Sequence, residues 1–486
     1  MTSLATTGAR GAASTIGAQA LSTLIRLVGV AILARLIAPS VFGTVAVAVA
    51  VAAFGNAVAT MGFPTAIAQA PALSRRSASY VFYWTLATAL LVAVAILALA
   101  KPLEDIFGIP GLHVALSWAA IVPIAASIAG FLRMLLARRH VFTRIAMVEV
   151  AATAIAFAVA VGLAIAGAGV AAILAQILLV PACQAIGFAL VARWVPERPR
   201  RASPAELDLR HVGLRVFGIN LLREGAKNSV VPALGLVASP SEVGVFDRAQ
   251  QVVLIPIVLT VEQMKRVALP LLSRVRTDSS RLADAFGRAQ LLAAYGTATL
   301  FAMIAALAEP VVRILLGPTW LAAVPLVQVL AVGGVFRALG LTIQWLHIGG
   351  GAASVGLRFN AIALPAVTLA TLAGLPWGAS GVAIANSIAW ALYWPPAVIS
   401  GARAAGIPAL PIVRSAGLAV ATVALPAGTL TAIAARPVGG VFLQVAVGIG
   451  CLATVLGVNW LINPVFRQHA LDFTLTLKGA RGSADT

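Results

Sequence analysis

Long apolar stretches, broken by short polar or Gly/Pro-marked connections, run through the whole chain. A hydrocarbon core about 30 Å thick takes roughly 20 helical residues to cross, so each stretch predicts a membrane span. The pattern places spans near residues 14–37, 41–63, 78–100, 112–136, 145–166 and 169–193. After a polar connection come spans near 211–237, 243–267, 287–308, 321–346, 357–374 and 379–401, and then two more near 412–434 and 438–462. The expected fold is therefore an all-α polytopic membrane protein of about 14 transmembrane helices. Its predicted parts are an N-terminal six-helix bundle (1–194), a cytoplasmic linker (195–210), a second six-helix bundle (211–410), two additional helices (411–462) and a cytoplasmic tail (463–486).

The two sets of six read as a repeat at an offset of about 200 residues. Pro39-Ser40-Val41-Phe42-Gly43 follows the first span, and Pro240-Ser241-Glu242-Val243-Gly244 follows the seventh. Pro71-Ala72-Leu73-Ser74-Arg75 and Pro270-Leu271-Leu272-Ser273-Arg274 follow the second and eighth. Because six is even, the halves share one orientation and are expected to be related by a pseudo-two-fold axis along the membrane normal. Transporters built this way carry their substrate path between the halves.

Composition agrees with the pattern. Hydrophobic residues are 61% of the 486 and charged residues 10%, with a mean hydropathy of +1.00, which excludes a water-soluble fold. The net charge of +19 would suggest nucleic acid in a soluble protein. Here the cations fall mostly in short loops, where they set topology and meet anionic lipid headgroups, so no nucleic acid partner is expected. With the N-terminus inside, 23 Lys and Arg lie on the inner side and three, Lys101, Arg313 and Arg436, on the outer. Miscounting one span would scramble that asymmetry, so both termini are expected in the cytoplasm of a cell whose inner membrane the chain crosses. No cleaved signal peptide is expected. Cys183 and Cys451 lie far apart in apolar runs, and the five histidines are dispersed, so neither a disulfide, a metal nor another cofactor is implied.

Charged side chains inside spans cost at least a few kcal/mol at mid-bilayer and should face a cavity or a partner. Gln19, Thr23 and Arg26 share one stripe of the first span, while Arg35 near its outer end suits snorkelling. The seventh span crowds Asn220, Arg223, Glu224, Lys227 and Asn228 into about two turns, with Glu224 able to pair with Lys227 or Asn228. The eighth carries Asp247, Arg248, Gln251 and Glu262. On an unbroken helix Arg248, Gln251 and Glu262 would share a face, though Pro256 lies between them. Local alternatives are Asp247 neutralising Arg248 and Glu262 pairing with Lys265 or Arg266. Arg337 sits mid-span on the face of Gln344, and Glu149 lies near the inner end of the fifth span. Together Arg26, Arg223, Lys227, Arg248 and Arg337 would bias a lumen to positive charge, which suits an anionic phosphate-bearing substrate. Glu149, Glu224, Asp247 and Glu262 are candidates for ion coupling. Asn386, Trp390 and Tyr393 form an aromatic stripe with Trp394 beside it, fitted either to sugar faces or to a membrane interface.

The run Arg26 to Gly43 resembles the opening of bacterial polysaccharide biosynthesis flippases (Wzx-like) in the multidrug/oligosaccharidyl-lipid/polysaccharide (MOP) superfamily. Phe246-Asp247-Arg248-Ala249, Leu269-Pro270-Leu271-Leu272-Ser273-Arg274 and Ala285-Phe286 resemble the matching stretch of that family's second half. The resemblance implies a transporter, not an enzyme. It would move undecaprenyl-diphosphate-linked oligosaccharide to the outer leaflet by alternating access around a cationic lumen, for capsule, exopolysaccharide or O-antigen assembly. A polysaccharide polymerase and export machinery would be its partners, with membrane lipids around it. A drug or metabolite exporter of the same superfamily is the nearest rival, and would favour acidic lumen groups. A polytopic glycosyltransferase or polymerase is a second rival, with Glu104 and Asp105 as its acids. A non-transporting assembly partner is a third, and would not need several intramembrane cations.

Overall fold

The computed structural model describes residues 2–60, 74–198, 224–464 and 466–467. It is helical, with no strand among the described residues. Arg223, the residues from 199 through the start of the seventh span, Pro71 to Leu73 and the tail from 468 lie outside them. Eleven helical segments are long and apolar enough to span a membrane, and the longest, Ala353–Ala405, carries two of the predicted spans. The seventh span is described only from Glu224, and the helix of the eighth, Pro240–Leu259, carries Glu242, Asp247 and Arg248 and is too charged to be among the eleven.

The chain forms two compact units. Residues 1–247 with 315–320 make one, and 248–314 with 321–486 the other. In the first, the long helices are α1 (Thr2–Leu36), α2 (Pro39–Thr60), α3 (Arg75–Phe107), α4 (Leu112–Ala119), α5 (Val122–Arg138), α6 (Phe142–Ile165) and α7 (Gly169–Ala192), followed by the short α8 (Val230–Gly235). Helix α9 (Pro240–Leu259) begins in the first unit and ends in the second. The second continues with α10 (Val261–Val275), α11 (Ser279–Ala306), α12 (Ala308–Leu315), α13 (Ala323–Gly349), α14 (Ala353–Leu372), α15 (Gly378–Ala405), α16 (Ala409–Ala419), α17 (Leu425–Ala434) and α18 (Val441–Ile462).

Lipid tails are as apolar as leucine, so helices in a membrane associate by close packing rather than by leaving water, and small residues at the crossings permit it. One helix in each unit is the hub: 61% of the span is buried in α2 and in α13, against 17% in α18. In the first unit Gly29 of α1 lies under the Phe157 ring of α6, and Gly187 of α7 meets Val148 of α6. The turn at Leu315–Trp320 completes this unit. There the fully buried Trp320 donates its indole N–H to the Ala34 carbonyl at 2.7 Å and meets Phe42 edge-on.

The two matched pentapeptides of the repeat meet reciprocally within the first unit. A Cβ on Gly43 would overlap the carbonyl of Pro240, and one on Gly244 would overlap the carbonyl of Pro39. Such an exchange is what equivalent segments make about a local two-fold axis, and it gives both glycines a physical reason.

Candidate functional site

In the second unit α13 and α15 run side by side in the same direction, held close by absent side chains. Gly333 faces the backbone of Ser387, Gly340 lies under the Tyr393 ring and Gly401 takes the Ile343 methyl. Ser387 also donates its hydroxyl to the Val329 carbonyl at 2.8 Å. At this spacing Arg337, between the two α13 glycines, puts its guanidinium carbon 5.1 Å from the centroid of the Trp390 ring. That is a cation–π contact in a site where little water competes. Nε of Arg337 is buried without a hydrogen-bond partner, and no carboxylate pairs with this residue among the described residues.

Several polar groups on α13, α14 and α15 bond one another, while Nδ1 of His347 and Nε1 of Trp394 are buried without a partner. Tyr393 donates to Oδ1 of Asn360 at 2.8 Å, and the Asn360 amide donates to the Gly356 carbonyl, which fixes its orientation. Phe359 leans on Tyr393 at 5.6 Å and stacks on His347, whose Nε2 lies 3.1 Å from the Ser400 hydroxyl. Asn386 donates to the Thr371 hydroxyl at 3.3 Å, tying α15 to α14. The aromatic stripe read from the sequence is thus buried, with Trp390 9% and Tyr393 5% exposed, and it belongs to one cluster with Arg337. A guanidinium carries five N–H donors in a planar fork. This one has an indole on its face, and no acid pairs with it among the described residues.

The charges of the first unit are arranged differently. Arg26 is exposed on α1, three residues before the Gly29 crossing, and makes no hydrogen bond or ion pair with another described residue; Thr23 on its stripe spends its hydroxyl on the Gln19 carbonyl. Lys227 is also exposed and lies 3.8 Å from Glu224, which in addition accepts from Asn228 at 3.1 Å. Glu149 is bound by Arg133 of α5 at 2.7 Å. The sequence reading did not select Arg133, and only the pairing of α5 with α6 reveals it. Glu104 accepts from Lys101 at 2.9 Å and from the His113 backbone N–H at 2.7 Å, and it also meets the His113 ring. It fastens the end of α3 to the start of α4, while Asp105 lies 3.3 Å from Lys101.

Asp247 and Arg248 are half-buried on α9, each with an interaction of its own. Glu262 lies on the next helix. The helix breaks at Thr260, four residues after Pro256, and Thr260 donates back to the Pro256 carbonyl at 2.6 Å. Glu262 then starts α10 and lies 3.7 Å from Lys265. Beyond the spans, Asp278 caps α11. Bonds from the Ser280 hydroxyl and the Arg281 N–H hold its carboxyl below the ordinary value of 3.8. No cluster of three or more His, Cys, Asp or Glu side chains forms a metal cage among the described residues.

Two units of long apolar helices, packed through glycines and carrying a cation at mid-span, define a multi-pass helical membrane protein. The fold is similar to that of the lipid II flippase MurJ in an inward closed conformation, with a TM-score of 0.70 at 13% identity over 92% of this chain and 98% of that one. It is also similar to an inward-facing multidrug resistance MATE family transporter, with a TM-score of 0.61 at 17% identity over 81% and 95%. The polysaccharide biosynthesis protein family model matches residues 32–325, and the chain belongs to that family. Among curated relatives, the amylovoran biosynthesis protein AmsL of Erwinia amylovora is 27% identical over 151 residues, 31% of this chain and 38% of the relative. The teichuronic acid biosynthesis protein TuaB of Bacillus subtilis (strain 168) is 26% identical over 106 residues, 22% of each. The chain therefore matches less than half the length of these relatives.

Proposed function

We propose that this protein is a flippase that moves an undecaprenyl-diphosphate-linked oligosaccharide from the cytoplasmic to the outer leaflet of the inner membrane, for assembly of an extracellular polysaccharide. The observation that carries the reading is Arg337, a mid-span guanidinium capped by Trp390 with no acid paired to it among the described residues. Family membership supplies the sugar context, and the physics supplies the sign of the cargo, because a desolvated cation favours phosphate oxygens. Of the five cations read from the sequence, Arg337 has the best support; Arg26, Arg223, Lys227 and Arg248 stay candidates for the same headgroup. Alternating access is the mode of transport. An inside-negative potential favours outward movement of a negative headgroup by about 2.3 kcal/mol per charge per 100 mV, and Glu149, Glu224, Asp247 or Glu262 would serve any ion coupling.

A cationic drug as cargo would need bare acids. Glu104, Glu149, Glu224, Glu262 and Glu309 each lie within ion-pair distance of a base. A catalytic role for Glu104 and Asp105 fits poorly with side chains already engaged in joining α3 to α4. The deciding experiment is chemical analysis of the lipid-linked sugar that builds up on the inner leaflet when the protein is depleted. Completed repeat units accumulating there support the flippase. An unextended precursor points to an enzyme and overturns it.

A further inference from the structure

The first unit holds a cavity of about 580 Å³ between α6 and α7, lined by Arg144, Met147, Val148, Leu190, Val191 and Arg193. Its shape follows from the two helices. Gly187 lets the Val148 side chain press against α7, so the helices nearly touch on one side of the cavity. Arg144, Met147 and Val148 share one face of the first turns of α6. Arg193 takes the left-handed conformation (φ 46°) that ends α7, its N–H bonded to the Ala189 carbonyl, and this puts its side chain at the helix end. The guanidinium of Arg139 binds the Ala192 carbonyl at 3.0 Å, so an acceptor of the α7 terminus is already covered.

The lining therefore has two zones. Arg144 and Arg193 are both exposed at helix ends on the face rich in loop cations, and their guanidiniums make no hydrogen bond or ion pair with another described residue. Beside them Met147 and Leu190, 58% and 72% exposed, present apolar surface. Two free cations over an exposed apolar groove match an amphiphile with an anionic phosphate head and an acyl chain. We propose that this cavity is a resident site for an anionic phospholipid of the surrounding leaflet, its phosphate held between Arg144 and Arg193 and its chain laid along Met147 and Leu190. The exposed apolar zone favours a lipid over free phosphate, which would use only the two guanidiniums. The lining comes from α6, α7 and the residue that ends α7 and shares no residue with the Arg337 cluster, which favours a bilayer lipid over the cargo.

The test is native mass spectrometry of the full-length protein incubated with equal phosphatidylglycerol and phosphatidylcholine. Phosphatidylglycerol should be retained selectively. Arg144→Gln with Arg193→Gln should weaken retention about five-fold per guanidinium, the equivalent of roughly 1 kcal/mol each. Arg403→Gln with Arg414→Gln removes the same charge from exposed positions elsewhere and should change retention less than about two-fold, well under that electrostatic term. Equal loss in both pairs, no loss in the first, or displacement by inorganic phosphate would overturn the site. So would preferential retention of a polyprenyl diphosphate over phosphatidylglycerol. Should the first pair fail to fold, photoactivatable phosphatidylglycerol answers with the wild-type protein: labelling at Met147 or Leu190 supports the site, and labelling only elsewhere overturns it.

Discussion

Lys227 of the first unit and Arg337 of the second were chosen from the sequence for one reason, a positive charge inside a predicted span, and the structure gives them opposite surroundings. Lys227 is largely exposed, with Glu224 3.8 Å away on the same helix. Arg337 is half-buried on α13, touches the Trp390 indole of α15 instead of an acid, and keeps a buried Nε without a partner. A cation neutralised within one turn is part of its own helix and contributes little beyond it. One that is desolvated and left without an acid is costly to the fold, and such groups within membranes mark ligand paths. Position along a span does not separate these cases; what stands one helix away does.

The strongest way to break this contrast is to remove both cations separately. Arg337→Ala should lower translocation of lipid-linked sugar in proteoliposomes by about 10- to 100-fold, the range of a charge-assisted hydrogen bond of about 1.5–3 kcal/mol, while insertion is kept. Lys227→Ala should cost less than about five-fold, in keeping with an exposed pair. Equal losses would erase the distinction, and normal transport by Arg337→Ala would remove that residue from the mechanism. Trp390→Ala should fall between them, since cation–π contacts are worth about 0.5–2 kcal/mol.

A second comparison concerns what holds each unit together internally. Gly43→Ala puts a methyl into the Pro240 carbonyl, and Gly333→Ala puts one against the Ser387 backbone, whereas a Cβ at Gly130 meets nothing within 4 Å. The first two should lower the thermal stability of the detergent-solubilised protein by about 1–3 kcal/mol, the usual range for overpacking. Gly130→Ala should be neutral or raise it by up to about 1 kcal/mol through helix propensity. An unchanged melting temperature for Gly43→Ala would show that the reciprocal crossing at Pro39 and Pro240 is loose.

These cases show what could be read from the residues alone. The spans were legible because hydrocarbon thickness fixes their length, and Gly43 and Gly244 were visible as a repeated pattern. Their reason, a crossing of two backbones, needed the fold. Pro256 announced a disturbance in the eighth span, but the break falls at Thr260, which puts Glu262 and Arg248 on different helices. Arg337 and the Trp390 stripe could each be seen. That they meet depends on Gly333 and Gly340, whose spacing looks ordinary in a glycine-rich membrane helix. The partnership of Glu149 with Arg133 spans 16 residues and a turn between helices, beyond any periodicity of one helix.

That partnership gives a smaller effect. With 50% and 27% of their side chains exposed, Arg133 and Glu149 form a pair screened by its surroundings. Arg133→Gln and Glu149→Gln should each cost less than about 1 kcal/mol of stability, and the double variant should cost less than the two together. If Glu149→Gln alone abolished transport at unchanged stability, the residue would be an ion-coupling acid, not a locally satisfied one, and the contrast with Arg337 would have to be redrawn.

The smallest effect sits outside the spans, at Asp278. Its carboxylate accepts from the Ser280 hydroxyl, the Ser280 N–H and the Arg281 N–H, so like Glu224 its partners lie within one turn. Because the folded-state pKa is depressed, the cap contributes fully above the ordinary value of 3.8 and is lost as pH falls through the lower folded value. Amide exchange at Ser280 and Arg281, corrected for intrinsic rates, should therefore be slow near about pH 5 and faster in stronger acid. Asp278→Asn keeps an uncharged acceptor at the same position, so protection should be weaker but flat across that range. Transport should not change in either condition set by this residue alone. A transport defect in Asp278→Asn with α11 still protected would mean that even a charge satisfied within its own turn takes part in moving cargo, and would also dissolve the division between local pairs and the acid-free guanidinium of Arg337.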